Sequence, residues 1–215
     1  MARKPADQSV SREDIILAAA DVLQRNGYET TTMKDIAAAV KLTAASLYHH
    51  FRNKDALLLA VLEAGLGRVL NEVERVARGN LPSEEKLRQM IRLHIVGLTN
   101  HTAVGAAMVF EIQSLMGTKN PPVEASEADR EAYEDFIRRR NAFFERRDQF
   151  EMLFRDVIRE GIENGSFRTV DAGIFVKLML GAQNWVGVWY KPEGRLDGEA
   201  IAEMMADSLL RAIRA

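Results

Sequence analysis

Between Thr32 and Lys54 the chain reads TMKDIAAAVKLTAASLYHHFRNK, and its side chains are of the kinds that meet nucleic acid. Thr43 and Ser46 carry hydroxyls that bond phosphates or base edges. The methyls of Ala44 and Ala45 can meet thymine methyls, and their small size permits close approach. Tyr48 and His49 can reach phosphate oxygens. Lys54 stands at the start of a helical pattern, where free backbone N–H groups also attract an anion. With Thr32, these make the set of expected DNA contacts: Thr32, Thr43, Ala44, Ala45, Ser46, Tyr48, His49 and Lys54. The chemistry is reversible recognition. His49 and His50 are not expected to hold a metal, because neighbours on a helix point about 100° apart.

Two short helices must present these groups. Thr32 can cap the first, over about residues 33–40, with Asp35 at its third position; Ile36, Ala37 and Val40 turn inward. Thr43 can cap the second, over about 44–50, with Leu47 and Phe51 turned inward. Two helices so close together form a helix-turn-helix, which near an N-terminus usually docks in the major groove. Taken alone, the same pattern also suits two ordinary helices of an α bundle.

Apolar residues recur at three and four positions almost throughout, without β alternation or internal repeat, so the fold class is all-α with about nine helices. Ser11, with Asp14, opens the first helix and Asn26-Gly27 ends it. A long fourth helix runs from Lys54 to about Arg78. A fifth starts at Ser83, and a junction at Asn100-His101-Thr102 precedes a sixth through Val109, Phe110 and Ile112. Residues 117–123, with Pro121-Pro122, form the clearest loop. A charged helix over about 124–164, an apolar one from Asp171 to Tyr190 and a last one from Asp197 complete the count.

The chain has 215 residues, 47% hydrophobic and 28% charged, with net charge −2 and no cysteine. It folds and buries a core. Any nucleic-acid binding comes from a local patch and not from bulk charge. Disulfides and Cys-ligated zinc are excluded. The start, Met-Ala-Arg-Lys-Pro, lacks the apolar run of a secretory signal, and a cytoplasmic location is expected. The apolar stretch 172–190 is interrupted by Lys177, Gln183 and Asn184, which favours a buried helix over a membrane span. No Glu has His three residues on, as a di-iron bundle needs, and there is no phosphate loop or nucleophile elbow, so no catalytic residue, cofactor or metal is expected.

Several separated blocks resemble the tetracycline-repressor (TetR) family of bacterial regulators. They are Ile15-Ile16-Leu17-Ala18-Ala19-Ala20, Asn26 to Thr32, Asp35-Ile36-Ala37, Leu47-Tyr48-His49-His50-Phe51 and Lys54-Asp55-Ala56-Leu57. The resemblance implies a DNA-binding domain over 1–54 and an effector-binding, dimerising domain over 55–215. It implies a homodimer that holds a palindromic operator in double-stranded DNA and leaves it when a small molecule binds. Two positions depart from the family pattern: Lys41 where glycine is usual at the turn, and Ala45 where glycine or a polar residue is common.

Farther on, Gln183-Asn184-Trp185 and Trp189-Tyr190-Lys191-Pro192-Glu193-Gly194 resemble a signature of TetR regulators tied to fatty-acid and steroid-ring catabolism, several of which sense acyl-CoA thioesters. The expected ligand residues are Met108, Phe110, Phe150, Phe154, Asn184, Trp185 and Trp189. Such large apolar residues line pockets but also fill plain cores. Arg138, Arg139, Arg140, Arg146 and Arg147 could meet coenzyme A phosphates or be the solvated face of a helix. A small apolar compound sensed by an efflux or detoxification regulator is the alternative effector, and a helical adaptor that does not bind DNA is the more distant alternative. The helix around Trp185 (Phe175, Leu178, Trp185 and Trp189 on one side) and the last helix (Ile201, Met204, Met205, Leu209, Ile213) are apolar on more than one face, which suits a four-helix dimer interface.

Overall fold

A computed structural model describes residues 10–116 and 126–215. The expected 117–123 loop and the chain start lie outside the described residues. Among the described residues there are ten helices and no strands: α1 (Arg12–Asn26), α2 (Met33–Ala39), α3 (Ala44–His50), α4 (Lys54–Ala77), α5 (Ser83–Asn100), α6 (Thr102–Phe110), α7 (Ile112–Met116), α8 (Glu127–Glu163), α9 (Ala172–Trp189) and α10 (Gly198–Ile213). The count exceeds the expected nine because the sixth helix is broken. At the break, Glu111 turns its carboxylate to the backbone N–H of Tyr28, 3.2 Å away, and α7 starts afresh.

Local chemistry sets most helix ends. Ser11 with Asp14 and Thr32 with Asp35 form reciprocal capping boxes. Thr43, Asn53, Asp171 and Asp197 each accept from the backbone N–H three residues on. Gly27 and Gly165 stop α1 and α8 with φ of +78°. The α2 stop is a Schellman arrangement: Lys41 N donates to Ala38 O and Leu42 N to Ala37 O.

That stop puts Lys41 at φ +57°, the left-handed region glycine takes most easily. The strain is about 1–2 kcal/mol for a side-chain-bearing residue, partly offset because glycine loses more entropy on folding. Lys41→Gly is therefore expected to stabilise by about 0.5 kcal/mol, a rise of roughly 1–2 °C in the thermal midpoint read by calorimetry. An unchanged or lower midpoint would mean the turn is not strained.

One continuous core joins the N-terminal three helices to the rest. Helix α5 is central, packed on α4, α8, α9 and α10. Two close approaches fix α6. A Cβ on Gly65 of α4 would lie 2.5 Å from Val104 Cγ1, and one on Gly187 of α9 would lie 3.2 Å from the Gly105 carbonyl carbon. A half-buried ion pair, the buried Lys86 Nζ to the partly exposed Glu160 at 2.8 Å, ties α5 to α8, with Ser83 and Asn164 bonded beside it. Among the described residues no single helix is long and apolar enough to cross a membrane.

Candidate functional site

Two sites emerge, joined by α4. The first is the outer face of α3. Leu47 and Phe51 are buried against α1 and α2, which leaves Thr43, Ala45, Tyr48, His49 and His50 exposed and Ala44 and Ser46 half-buried. Thr43 Oγ1 accepts from Ser46 N and lies 2.9 Å from Ser46 Oγ, so the two hydroxyls form one polar cluster at the start of the helix. Tyr48 is 52% exposed with its ring on the open side. Thr32 caps α2, its hydroxyl bonded to Asp35.

Lys54 is placed differently from the phosphate contact expected of it. Its ammonium donates to Tyr28 O at 2.6 Å and Thr31 O at 2.9 Å, and lies 4.1 Å above the Tyr28 ring. Beside it the Tyr28 hydroxyl bonds Asp55, whose carboxyl burial pushes up. The lysine clamps the α1–α2 loop to the start of α4, and only the backbone N–H groups of that helix start remain for an anion.

The second site is a cavity of about 640 Å³ lined by α4, α5, α6, α8 and α9. Of the residues expected to bind a ligand, it gathers Met108, Phe150 and Asn184. The others lie elsewhere. Phe154 is fully buried behind Phe150, ring centroids 5.2 Å apart. Phe110 and Trp185 are exposed and meet edge-on outside the cavity, at 6.5 Å. Trp189 is also exposed. The reason is helical geometry: with Asn184 pointing into the cavity, Trp185 is turned about 100° away. Its side of α9 carries Ile174, Leu178, Trp185 and Trp189, all open, with Met204 exposed on α10. Phe175, expected on that side, is buried instead, as are Ile201 and Ile213.

The cavity wall is apolar over Leu66, Val69, Leu93, Val96, Val104 and Leu180, and charged at Arg68, Glu72, Arg147, Glu151 and Lys177. Of the five candidate arginines, Arg147 lines it. Arg138 pairs with Asp135, Arg139 with Glu63, and Arg140 reaches Leu115 O and Asn141. His94, a polar residue in an apolar segment, is buried in the wall, edge-on to Phe150 at 5.0 Å. Gln183 donates from Nε2 to Met179 O, which directs its Oε1 at His94 Nδ1, 3.1 Å away. His94 is then neutral with its proton on Nδ1, leaving Nε2 as an acceptor.

Burial pushes the His94 imidazole down to about 4, against the smaller opposite pull of Gln183. Between that value and the ordinary 6.5 the unfolded chain binds a proton that the folded chain does not, so stability falls as pH drops through this window. The expected contribution is about 1.4 kcal/mol per pH unit at its steepest. Urea unfolding at pH 7, 6 and 5 should show a shallower decline in His94→Gln than in the unaltered protein. Parallel declines would place the protonation elsewhere.

The model of the family "Bacterial regulatory proteins, tetR family" matches residues 15–61, which hold α2, α3 and the start of α4. A second model, "Tetracyclin repressor-like, C-terminal domain", matches residues 137–213, which hold most of α8 and all of α9 and α10. The chain belongs to the TetR family. As a TetR-family protein it is a DNA-binding transcriptional regulator and not an enzyme. It is 24% identical to the HTH-type transcriptional repressor KstR2 of Mycolicibacterium smegmatis over 211 residues, spanning 97% of this chain and 93% of that protein. Among solved structures it is similar to the TetR-family regulator PfmR from Thermus thermophilus, with TM-score 0.75 and 28% identity over 92% of this chain and 97% of that one. It is also similar to AibR in complex with isovaleryl coenzyme A and operator DNA, with TM-score 0.71 and 26% identity over 93% and 97%.

Proposed function

We propose that this TetR-family regulator is a homodimeric repressor that leaves a palindromic operator when an acyl-CoA thioester enters the cavity. One observation carries the reading: α4 is shared. Its start is clamped to the α1–α2 loop by Lys54, and its body supplies Gly65, Leu66, Arg68 and Val69 to the cavity wall. A ligand that prefers one tilt of α4 thereby selects one separation of the two α3 helices, and lowers operator affinity by its differential binding. The DNA-reading unit ends where α4 begins, at Lys54; the remainder binds the effector and dimerises.

The ligand class rests on the wall chemistry. An apolar interior around Phe150, Val104 and Met108 suits an acyl group, and Arg147 with Lys177 suits phosphates. AibR, whose structure holds isovaleryl coenzyme A, supports the class. The acyl group is placed beside Phe150 and not beside Trp185 or Trp189, which serve the dimer.

The α3 face gives a test of DNA reading. Tyr48→Ala is expected to weaken binding to operator and random duplex alike, by about tenfold, since a phosphate contact carries no sequence information. Ala45→Gln is expected to change base preference at one position per half-site, by about 1–3 kcal/mol. Anisotropy titrations on a randomised-site library separate the two. Equal loss of all sequences in Ala45→Gln would remove α3 from the groove.

A further inference from the structure

Arg68 belongs to two hollows at once. It lines the effector cavity and also a shallow cleft between α1 and α4, beside Arg12, Glu13, Ile16 and Gly67. Its Nη2 donates to Glu13 Oε1 of α1, 3.2 Å away. Its Nη1 is buried with no hydrogen-bond partner among the described residues. A buried donor without an acceptor is costly, and an incoming oxygen removes the cost. Among the described cavity-lining residues, Arg68 is the one whose charge is paired with α1. Lys177, also on the wall, is held by Glu151. His101, at the same end of the cavity, lies within the fields of both Arg68 and Glu13.

We propose that Arg68 is the trigger between cavity and DNA reader: an anionic oxygen of the effector bonds the free Nη1, draws the guanidinium off Glu13 and releases α1 from α4. The proposal rests on the cavity being the effector site and adds which residue senses the ligand and what the ligand must carry. That group is an anion, either a phosphate of a coenzyme A arm or the carboxylate of a free acid. The Glu13 pair is partly exposed and therefore weak, so a single new charge can compete with it. Helix α1 packs on α2 and carries it, so loosening α1 loosens the mounting of α3.

Two arms test this on the full-length dimer. The first needs no ligand. Operator binding and α1 hydrogen exchange are measured for Glu13→Gln, Arg68→Glu and the double swap Glu13→Arg/Arg68→Glu. Each single variant is expected to bind operator three- to tenfold more weakly with faster α1 exchange, and the swap to recover to within twofold. Removing the Glu13 charge alone would favour DNA, so a loss in Glu13→Gln points to the broken pair. Singles that match the unaltered protein, or a swap no better than Arg68→Glu, would overturn the proposal. The second arm titrates octanoyl-CoA, octanoate and the neutral N-acetylcysteamine thioester of octanoate. Because Glu13→Gln shifts the equilibrium toward the opened α1–α4 seam, it should bind the active anion more tightly than the unaltered protein. The neutral thioester should release operator at least fivefold less than the anionic compounds. Release by the neutral thioester equal to theirs would overturn the trigger. If none of the three released operator, the thioester reading would fail while the first arm still decided the Arg68–Glu13 link.

Discussion

Leu178→Arg combined with Trp185→Arg is expected to yield a folded monomer that binds operator at least a hundredfold more weakly than the unaltered protein. Both side chains are more than half exposed, in line with Ile174 and Trp189 on α9, and Met204 lies exposed on α10. An apolar face of this kind marks an interface, and tryptophans on it are the residues that dominate association. In the homodimer proposed above, a second copy related by a two-fold axis would cover it with the same α9 and α10. Neither substitution touches the buried side of α9, where Phe175, Val176, Met179 and Val186 meet the core, so the fold survives. Operator affinity suffers because a palindrome is held by two α3 helices at a fixed separation, and a monomer retains one. Sedimentation equilibrium reads the mass, circular dichroism the helix content and anisotropy the operator affinity. A variant that stayed dimeric would move the interface to another face.

Gly97→Leu is expected to make a repressor that cannot be released. Gly97 lies in α5 on the cavity wall, and a Cβ there would meet Val69 at 3.8 Å, ordinary contact with room beyond. A leucine would occupy space now open to the ligand without moving backbone. It also replaces a helix-interior glycine, worth roughly 1 kcal/mol of added stability. Operator affinity should stay within twofold, octanoyl-CoA affinity should fall at least tenfold, and the thermal midpoint should rise. Gly65 is the contrasting position: its Cβ would strike Val104 and force α4 from α6. Undiminished release in Gly97→Leu would place the effector outside this cavity.

Helix ends were readable in the sequence because they are local. Ser11 with Asp14, Thr32 with Asp35, Thr43 and Asn53 cap the helices they precede, and Lys41, standing where glycine is usual, takes a left-handed turn. The inward turn of Leu47 and Phe51 followed from helical spacing and left the α3 face outward. What was not readable depends on contacts between distant residues. The α6–α7 break coincides with Glu111 reaching Tyr28, 83 positions away. The Lys54 ammonium is taken by loop carbonyls that no local pattern announces. Helix α9 is apolar nearly all round, so its sequence does not tell the cavity side, with Asn184, from the exposed side, with Trp185 and Trp189. Arg68 carried no signal at all, since its role comes from Glu13 lying across the α1–α4 seam.

Filling the cavity is expected to lower operator affinity. This is tested by measuring operator binding of the full-length dimer across increasing octanoyl-CoA, with calorimetry on the same samples to report occupancy. The expected result is a fall in operator affinity of roughly five- to 150-fold that saturates with occupancy of one ligand per chain. Ligand bound at that stoichiometry with operator affinity unchanged would contradict it.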